Sequence, residues 1–263
     1  MYDLIFHSSL FLLGLLLGSF AGLCAYRLPR GENVIRGKSH CDYCQAPLNW
    51  CQKFPLLGYL ILHGRSHCCR RRISWRYPVL EVSMGLGIWF LARQLPADGT
   101  LVTAILFCGF LATGMLIDLD HKIIPDKVTL TGIAAGLLLA GIIPTGDLLD
   151  AILGVFICGG FLYLSGWLGE HLFKKKQAMG GGDIKFAAMM GAFLGWQLGL
   201  LAILLAAFAG AAFGVSKQAL GRRESVSTEL PFGPFLATAA VSALLWGHPI
   251  IKWYSINFLG MEL

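Results

Sequence analysis

The sequence predicts an all-α, polytopic integral membrane protein with about eight transmembrane helices and a small cysteine-rich cytoplasmic loop domain. Three observations carry this reading. Hydrophobic residues make up 56% of the 263 residues and charged residues only 14%, and the mean hydropathy is +0.66. A soluble domain carries about 25% charged residues, so a soluble enzyme and a disordered chain are both excluded. The 33 glycines follow no three-residue period, which excludes collagen; many lie inside apolar runs, where close helix packing in lipid uses them. The second observation is the length of those runs, since a bilayer core about 30 Å thick needs roughly 20 helical residues. The third is the one-sided placement of the basic residues.

In chain order the runs are Leu4 to Tyr26, Val79 to Leu95, Thr100 to Ile117, Val128 to Ile143, Leu148 to Leu168, Phe186 to Val215 and Pro231 to Trp246. The first reads as a retained helix and not a cleaved signal peptide, because Asp3 is its only early charge and the basic cluster follows the run. Phe186 to Val215 holds 30 residues with Gln197 as its one polar side chain. That is too long for one ordinary span and short for two. Gly195 to Gly199 supplies a tight reversal, which brings the total to eight.

The basic residues agree with eight spans. One side then receives Arg27 to Arg76, Asp118 to Lys127, Gly169 to Lys185 and Ser216 to Glu229, which hold 19 of the 21 Lys and Arg. Positive-inside bias makes that side cytoplasmic and places both termini outside. Seven spans would push Lys217, Arg222 and Arg223 outward. The expected organisation is a first helix over residues 1–26, a cytoplasmic loop domain over 27–78 and a membrane domain over 79–263.

Five of the eight cysteines fall in the loop: Cys41, Cys44, Cys51, Cys68 and Cys69. Cys24, Cys108 and Cys158 sit in apolar runs and read as small buried side chains. A disulfide framework is not expected in the reducing cytoplasm. The Cys41–Cys44 spacing lets two thiolates reach one tetrahedral zinc. The second half of the site is irregular, because Ser66 stands where a CxxC ending at Cys69 would begin. The fourth ligand is Cys68, His67 or Cys51, with Cys68 the first choice, or else the site is degenerate and a lone CxxC holds no metal. A loop this small gains from a metal staple. Arg70, Arg71, Arg72 and Arg76 read as an anchor to anionic lipid headgroups.

Two acidic motifs border apolar spans, where ionisable residues are functional candidates. The first runs from Ile117 to Asp126 and contains Asp118, Asp120, and Pro125 at a position suited to the first turn of a helix. The second is Gly180-Gly181-Gly182-Asp183-Ile184-Lys185. Gly180 and Gly182 permit unusual backbone angles and close approach of another chain. About a dozen residues separate Asp183 from the predicted reversal, or roughly 18 Å of helix, which sets Asp183 somewhat below the membrane surface. Singly, an Asp at a helix end is a cap and a glycine string is a turn. Paired, Asp118 or Asp120 with Asp183 gives two carboxyls that share a proton. The ionised one activates water and the protonated one donates to a scissile carbonyl. Asp126, after the proline, faces solvent or caps a helix.

The two motifs in this topology resemble the type IV prepilin peptidases, polytopic GxGD aspartic proteases. Gly18-Ser19-Phe20, Tyr26-Arg27-Leu28-Pro29-Arg30, Ser39 to Cys44, Pro55 to Leu60, Ile73 to Pro78 with Glu81, and Pro231-Phe232-Gly233-Pro234-Phe235 are similar to that family's segments. The resemblance implies that Asp118, seven residues before Pro125, and Asp183 are the catalytic pair, with Gly180, Gly182, Pro125 and Lys185 supporting them. Lys185 balances negative charge, contacts substrate or anchors the interface. The resemblance also implies two activities in the bacterial inner membrane, acting at the cytoplasmic face. One removes a short basic leader from prepilins or type II secretion pseudopilins after a glycine. The other is S-adenosylmethionine-dependent N-methylation of the new N-terminus. The expected ligands are structural zinc at Cys41, Cys44, Cys68 and Cys69, S-adenosylmethionine, and membrane lipid; no nucleic acid is expected. The rival classes are a transporter with a zinc-binding loop, disfavoured because its carboxylates would lie at the midplane, and a membrane scaffold in which both aspartates are dispensable.

Overall fold

The computed structural model describes residues 2–34, 41, 43–44, 46–47, 54–173, 179–219 and 231–260. Its helices are α1 (Tyr2–Arg27), followed by a 3-10 turn (Leu28–Arg30), α2 (Leu57–Ile61), α3 (Arg76–Gln94), α4 (Gly99–His121), α5 (Asp126–Ile142), α6 (Leu148–Phe173), α7 (Gly181–Ala219) and α8 (Gly233–Tyr254). Every apolar run named above forms one of the long helices. Five helices among the described residues are long and apolar enough to cross a membrane: α1, α4, α6, α7 and α8. The remaining two fall short for plain reasons. α3 carries Arg76, Glu81 and Arg93, and α5 has 17 residues.

The chain divides into two compact units, residues 1–97 and 98–263. The expected boundary after Pro78 follows composition, whereas packing groups α3 with α1. Glycines at four-residue spacing on α1 explain why. A Cβ at Gly14 would lie 2.6 Å from the Gly85 Cα, and one at Gly18 would lie 2.8 Å from the Glu81 Cα. Only hydrogen at these positions lets the two backbones touch, as small-residue stripes do in lipid. Leu4, Leu12, Leu16 and Phe20 of α1 are all exposed.

The second unit is a bundle of α4 to α8 around Phe107, Leu111, Phe186, Met189, Met190, Leu236 and Ala240. Its outer surface is apolar as well, with Phe156 and Phe208 exposed. A solvent-facing bundle would not present such rings, and lipid accounts for them.

α7 consists of two limbs. Gly195 has φ 75° and ψ 178°, a conformation that favours glycine. Beyond it the chain turns back on itself, so that a Cβ at Gly199 would lie 3.4 Å from the Gly191 Cα. A straight helix would hold those two positions about 12 Å apart. This is the predicted reversal. The residue that fixes it was not predicted: Asp150, on α6, accepts from the Trp196 N–H at 3.4 Å. Its carboxylate occupies the space that a Gly195 side chain would need.

Candidate active site

α4 delivers Asp118 at its last turn. Asp118 is 5% exposed, whereas Asp120, two residues on, is exposed. Two residues turn a helix by roughly 200°, so the two carboxyls face opposite sides. The helix stops at Lys122, whose φ of 54° is left-handed and whose N–H donates to the Asp118 carbonyl at 2.9 Å. Residues 123–125 lie outside any helix, and Pro125, in extended conformation, immediately precedes the first residue of α5.

The glycine string delivers Asp183 on the first turn of α7, half-buried. Each glycine has its own geometry. A Cβ at Gly180 would meet the Asp183 Oδ2 at 3.0 Å, and one at Gly182 would press on Ile124 at 3.2 Å, while one at Gly181 would meet nothing within 4 Å. The first and third positions are therefore crowded, and the middle one is open. Gly182 lets the α4–α5 turn close over the start of α7. One turn further along, the Phe186 ring fills the space a side chain at Gly114 would take, which locks α4 against α7 beneath the carboxyls.

This packing brings Asp118 within electrostatic reach of Asp183. A third segment completes the site: the Gly233 N–H, at the start of α8, donates to the Asp118 Oδ2 at 2.8 Å. The Pro-Phe-Gly-Pro stretch was visible in sequence, but its contact with Asp118 was not. Lys185 is not turned toward the pair. Its Nζ donates to the Asp126 Oδ1 at 2.6 Å, with both side chains substantially exposed. Of the roles open for Lys185 and Asp126, the geometry supports charge balance between the two helix starts.

In the first unit, the Sγ atoms of Cys41, Cys44, Cys68 and Cys69 all lie within 4.8 Å of one another. Cys41 and Cys69 are 3.8 Å apart, and Cys44 and Cys68 are 3.0 Å apart. Four thiolates bound to one zinc at about 2.3 Å sit roughly 3.8 Å from each other, so the cluster fits a tetrahedral metal. Cys68 is the fourth thiol of the group, His67 is not part of it, and Cys51 lies outside the described residues. A short hairpin presents the second pair: Ser66 N–H donates to the Arg71 carbonyl at 2.8 Å and Ile73 N–H to the Gly64 carbonyl at 2.8 Å. Ser66, in place of a cysteine, is buried and hydrogen-bonds the thiols of Cys41 at 3.3 Å and Cys68 at 2.9 Å. Burial alone would raise the Cys41 thiol, but the Ser66 hydroxyl and the Cys44 and Tyr43 N–H groups outweigh it and bring it down to about 6. Its hydrogen bond with Cys68 pushes Cys44 up to about 12.

Residues 12–95 match the family model described as the bacterial peptidase A24 N-terminal domain, and residues 105–215 match the type IV leader peptidase family. The cysteine cluster falls in the first match and both aspartates in the second. The chain is 36% identical to a prepilin leader peptidase/N-methyltransferase of Aeromonas hydrophila, over 97% of this chain and 96% of the relative. It is 34% identical to one of Pseudomonas aeruginosa, over 95% and 93%. It is 34% identical to one of Legionella pneumophila, over 84% and 77%. No solved structure matches. With a relative matched over almost its entire length and both aspartates inside the family match, the chain belongs to the type IV leader peptidase family.

Proposed function

We propose that this protein cuts the short basic leader from prepilins or type II secretion pseudopilins after a glycine, and N-methylates the new N-terminus. Asp118 and Asp183 form the catalytic pair. The observation that carries this reading is the buried Asp118 carboxylate, held by the Gly233 N–H at 2.8 Å and within electrostatic reach of Asp183. One carboxylate takes a proton from water as the water oxygen bonds to the scissile carbonyl carbon. The other gives its proton to the carbonyl oxygen. In the collapse the ionised carboxylate takes a hydroxyl proton from the gem-diol, the C–N bond breaks, and the other carboxyl gives its proton to the leaving amine. No covalent intermediate arises, and the pair ends with one proton again.

The membrane frame follows the charge distribution. The two limbs of α7, with α3 and α5, complete eight spans, and the aspartates lie at the cytoplasmic face of the bacterial inner membrane. A substrate leader is basic and cytoplasmic, so it meets the pair from that side. Cys41, Cys44, Cys68 and Cys69 hold a structural zinc that fixes the loop.

Co-expression with a prepilin tests the catalytic assignment. Asp118→Asn and Asp183→Asn each keep side-chain size and remove the proton relay, so cleavage falls by orders of magnitude. The double variant is scarcely worse than either single one, because the two act as a unit. Normal cleavage by both single variants, at normal membrane abundance, rules the mechanism out.

A further inference from the structure

In the first unit α1 and α3 lie antiparallel, with Gly14 against Gly85 and Gly18 against Glu81. The start of α1 therefore meets the end of α3, away from the cysteine hairpin. An open groove of about 560 Å³ lies there, lined by Asp3, His7 and Phe11 of α1 and by Leu86, Trp89 and Arg93 of α3. Its charged groups do not satisfy one another. The His7 Nε2 lies 3.4 Å from the Asp3 Oδ1, so that nitrogen carries the proton and Nδ1 is left as an acceptor. Nδ1 is shielded from solvent and has no hydrogen-bond partner. A buried polar atom in that state calls for an explanation. The Arg93 guanidinium stacks over the Trp89 ring at 4.7 Å and pairs with no carboxylate among the described residues. The Ser8 hydroxyl, also at the groove, is already spent on the Leu4 carbonyl at 2.6 Å. One helix thus brings a carboxylate with spare capacity and the other an unpaired cation.

Tryptophan and arginine at the ends of membrane helices mark the level of the lipid headgroups. At that level Leu4, Phe11 and Leu86 offer apolar surface to an acyl chain, and the charges select the headgroup. A purely anionic headgroup would answer Arg93 but confront Asp3. A choline has no N–H to give to a carboxylate. A primary ammonium next to a phosphate answers both sides: its N–H groups suit Asp3, and its phosphate oxygens suit a guanidinium, which grips phosphate with two parallel hydrogen bonds. From this charge complementarity we infer that the groove seats one zwitterionic phospholipid with a primary ammonium headgroup, phosphatidylethanolamine, with the ammonium on Asp3 and the phosphate on Arg93. His7 is a positioning residue that orients Asp3 through its Nε2–H. The lipid bridges α1 and α3 at the end of the unit, and the site is independent of the proposed leader cleavage.

The test uses the full-length protein, delipidated in detergent, and counts bound lipid by native mass spectrometry. The probes are phosphatidylethanolamine, phosphatidylcholine and phosphatidylglycerol with identical dioleoyl chains. Wild type is expected to prefer phosphatidylethanolamine over each of the others by about threefold or more, the scale of a solvent-accessible ion pair. Asp3→Asn is expected to bind phosphatidylethanolamine and phosphatidylcholine equally, and Arg93→Met to bind all three more weakly. Lys252→Met, near the end of α8, removes one positive charge elsewhere and is expected to bind like wild type. Equal uptake of the three lipids by wild type means unselective annular lipid and overturns the inference. So does a preference for phosphatidylglycerol, which would make the site simply anion-binding. A preference that survives Asp3→Asn, or a loss in Lys252→Met equal to that in Arg93→Met, removes these residues from the site. The wild-type comparison decides the headgroup without any variant.

Discussion

Gly233 has no room for a side chain: a Cβ there would stand 2.8 Å from the Asp118 Oδ2, the same oxygen that its N–H holds. Gly233→Ala must therefore displace the carboxylate. Misplacing a reacting group by about an ångström costs on the order of 100-fold in rate, and prepilin cleavage by this variant is expected to fall by about that factor at unchanged membrane abundance. Wild-type cleavage would show that the contact is incidental. The exposed neighbours behave differently. Asp120→Asn is expected to stay within a few-fold of wild type in the same assay. Lys185→Met is expected to lower stability by no more than about 1 kcal/mol, the scale of an exposed ion pair. A dead Asp120→Asn beside an active Asp118→Asn would exchange their roles. At this scale the sequence pointed to Asp118, Asp183 and the clustered cysteines but not to the groups that contact them. The GxGD string, the Ile-Pro element and the CxxC pair are local patterns. The Gly233–Asp118 and Lys185–Asp126 contacts join residues 115 and 59 positions apart, and no local period encodes them.

Among the elements, the reversal inside α7 and the cysteine hairpin invite separate measurements. Gly195→Ala places a methyl group against the Asp150 carboxylate and forces alanine to a φ of 75°. Backbone with φ > 0 and ψ near 180° is essentially reserved for glycine and costs another residue about 1–3 kcal/mol, and the collision adds to that, so the melting temperature in detergent is expected to drop. Adding Asp150→Ala relieves the collision alone, and the double variant should recover part of the loss. No recovery would mean that Asp150 does not shape the turn. In the hairpin, metal binding must release the protons that the thiols still carry. Cys41, brought down to about 6, is already a thiolate at neutral pH, whereas Cys44, pushed up to about 12, is not. Zinc uptake at pH 7.5 is accordingly expected to liberate protons, and affinity should fall as pH falls, most steeply once Cys41 also protonates below about 6. Proton-release calorimetry in two buffers checks the sign. Zinc affinity independent of pH would exclude thiolate ligation. The apolar runs made these helices legible, and Gly195 announced the turn. The Asp150 cap was hidden because it sits 46 residues upstream, on another helix.

For the whole molecule, orientation is the open quantity that charge predicts. Alkaline phosphatase fused after Thr145 or Gly195 is expected to be active, and fused after His121 or Ala219 inactive. Activity after Ala219 would reduce the spans to seven and turn the last basic segment outward. The two units were only partly legible, because composition separates loop from membrane whereas glycine-to-glycine contact joins α3 to α1. The Gly233 clamp has a temporal meaning as well. Both aspartates are synthesised long before α8, yet the N–H that fixes Asp118 arrives only with α8. A chain released after Ala219 holds both carboxyls and is expected to be unable to cleave. On that expectation the nascent chain cleaves only once its final helix has entered the membrane.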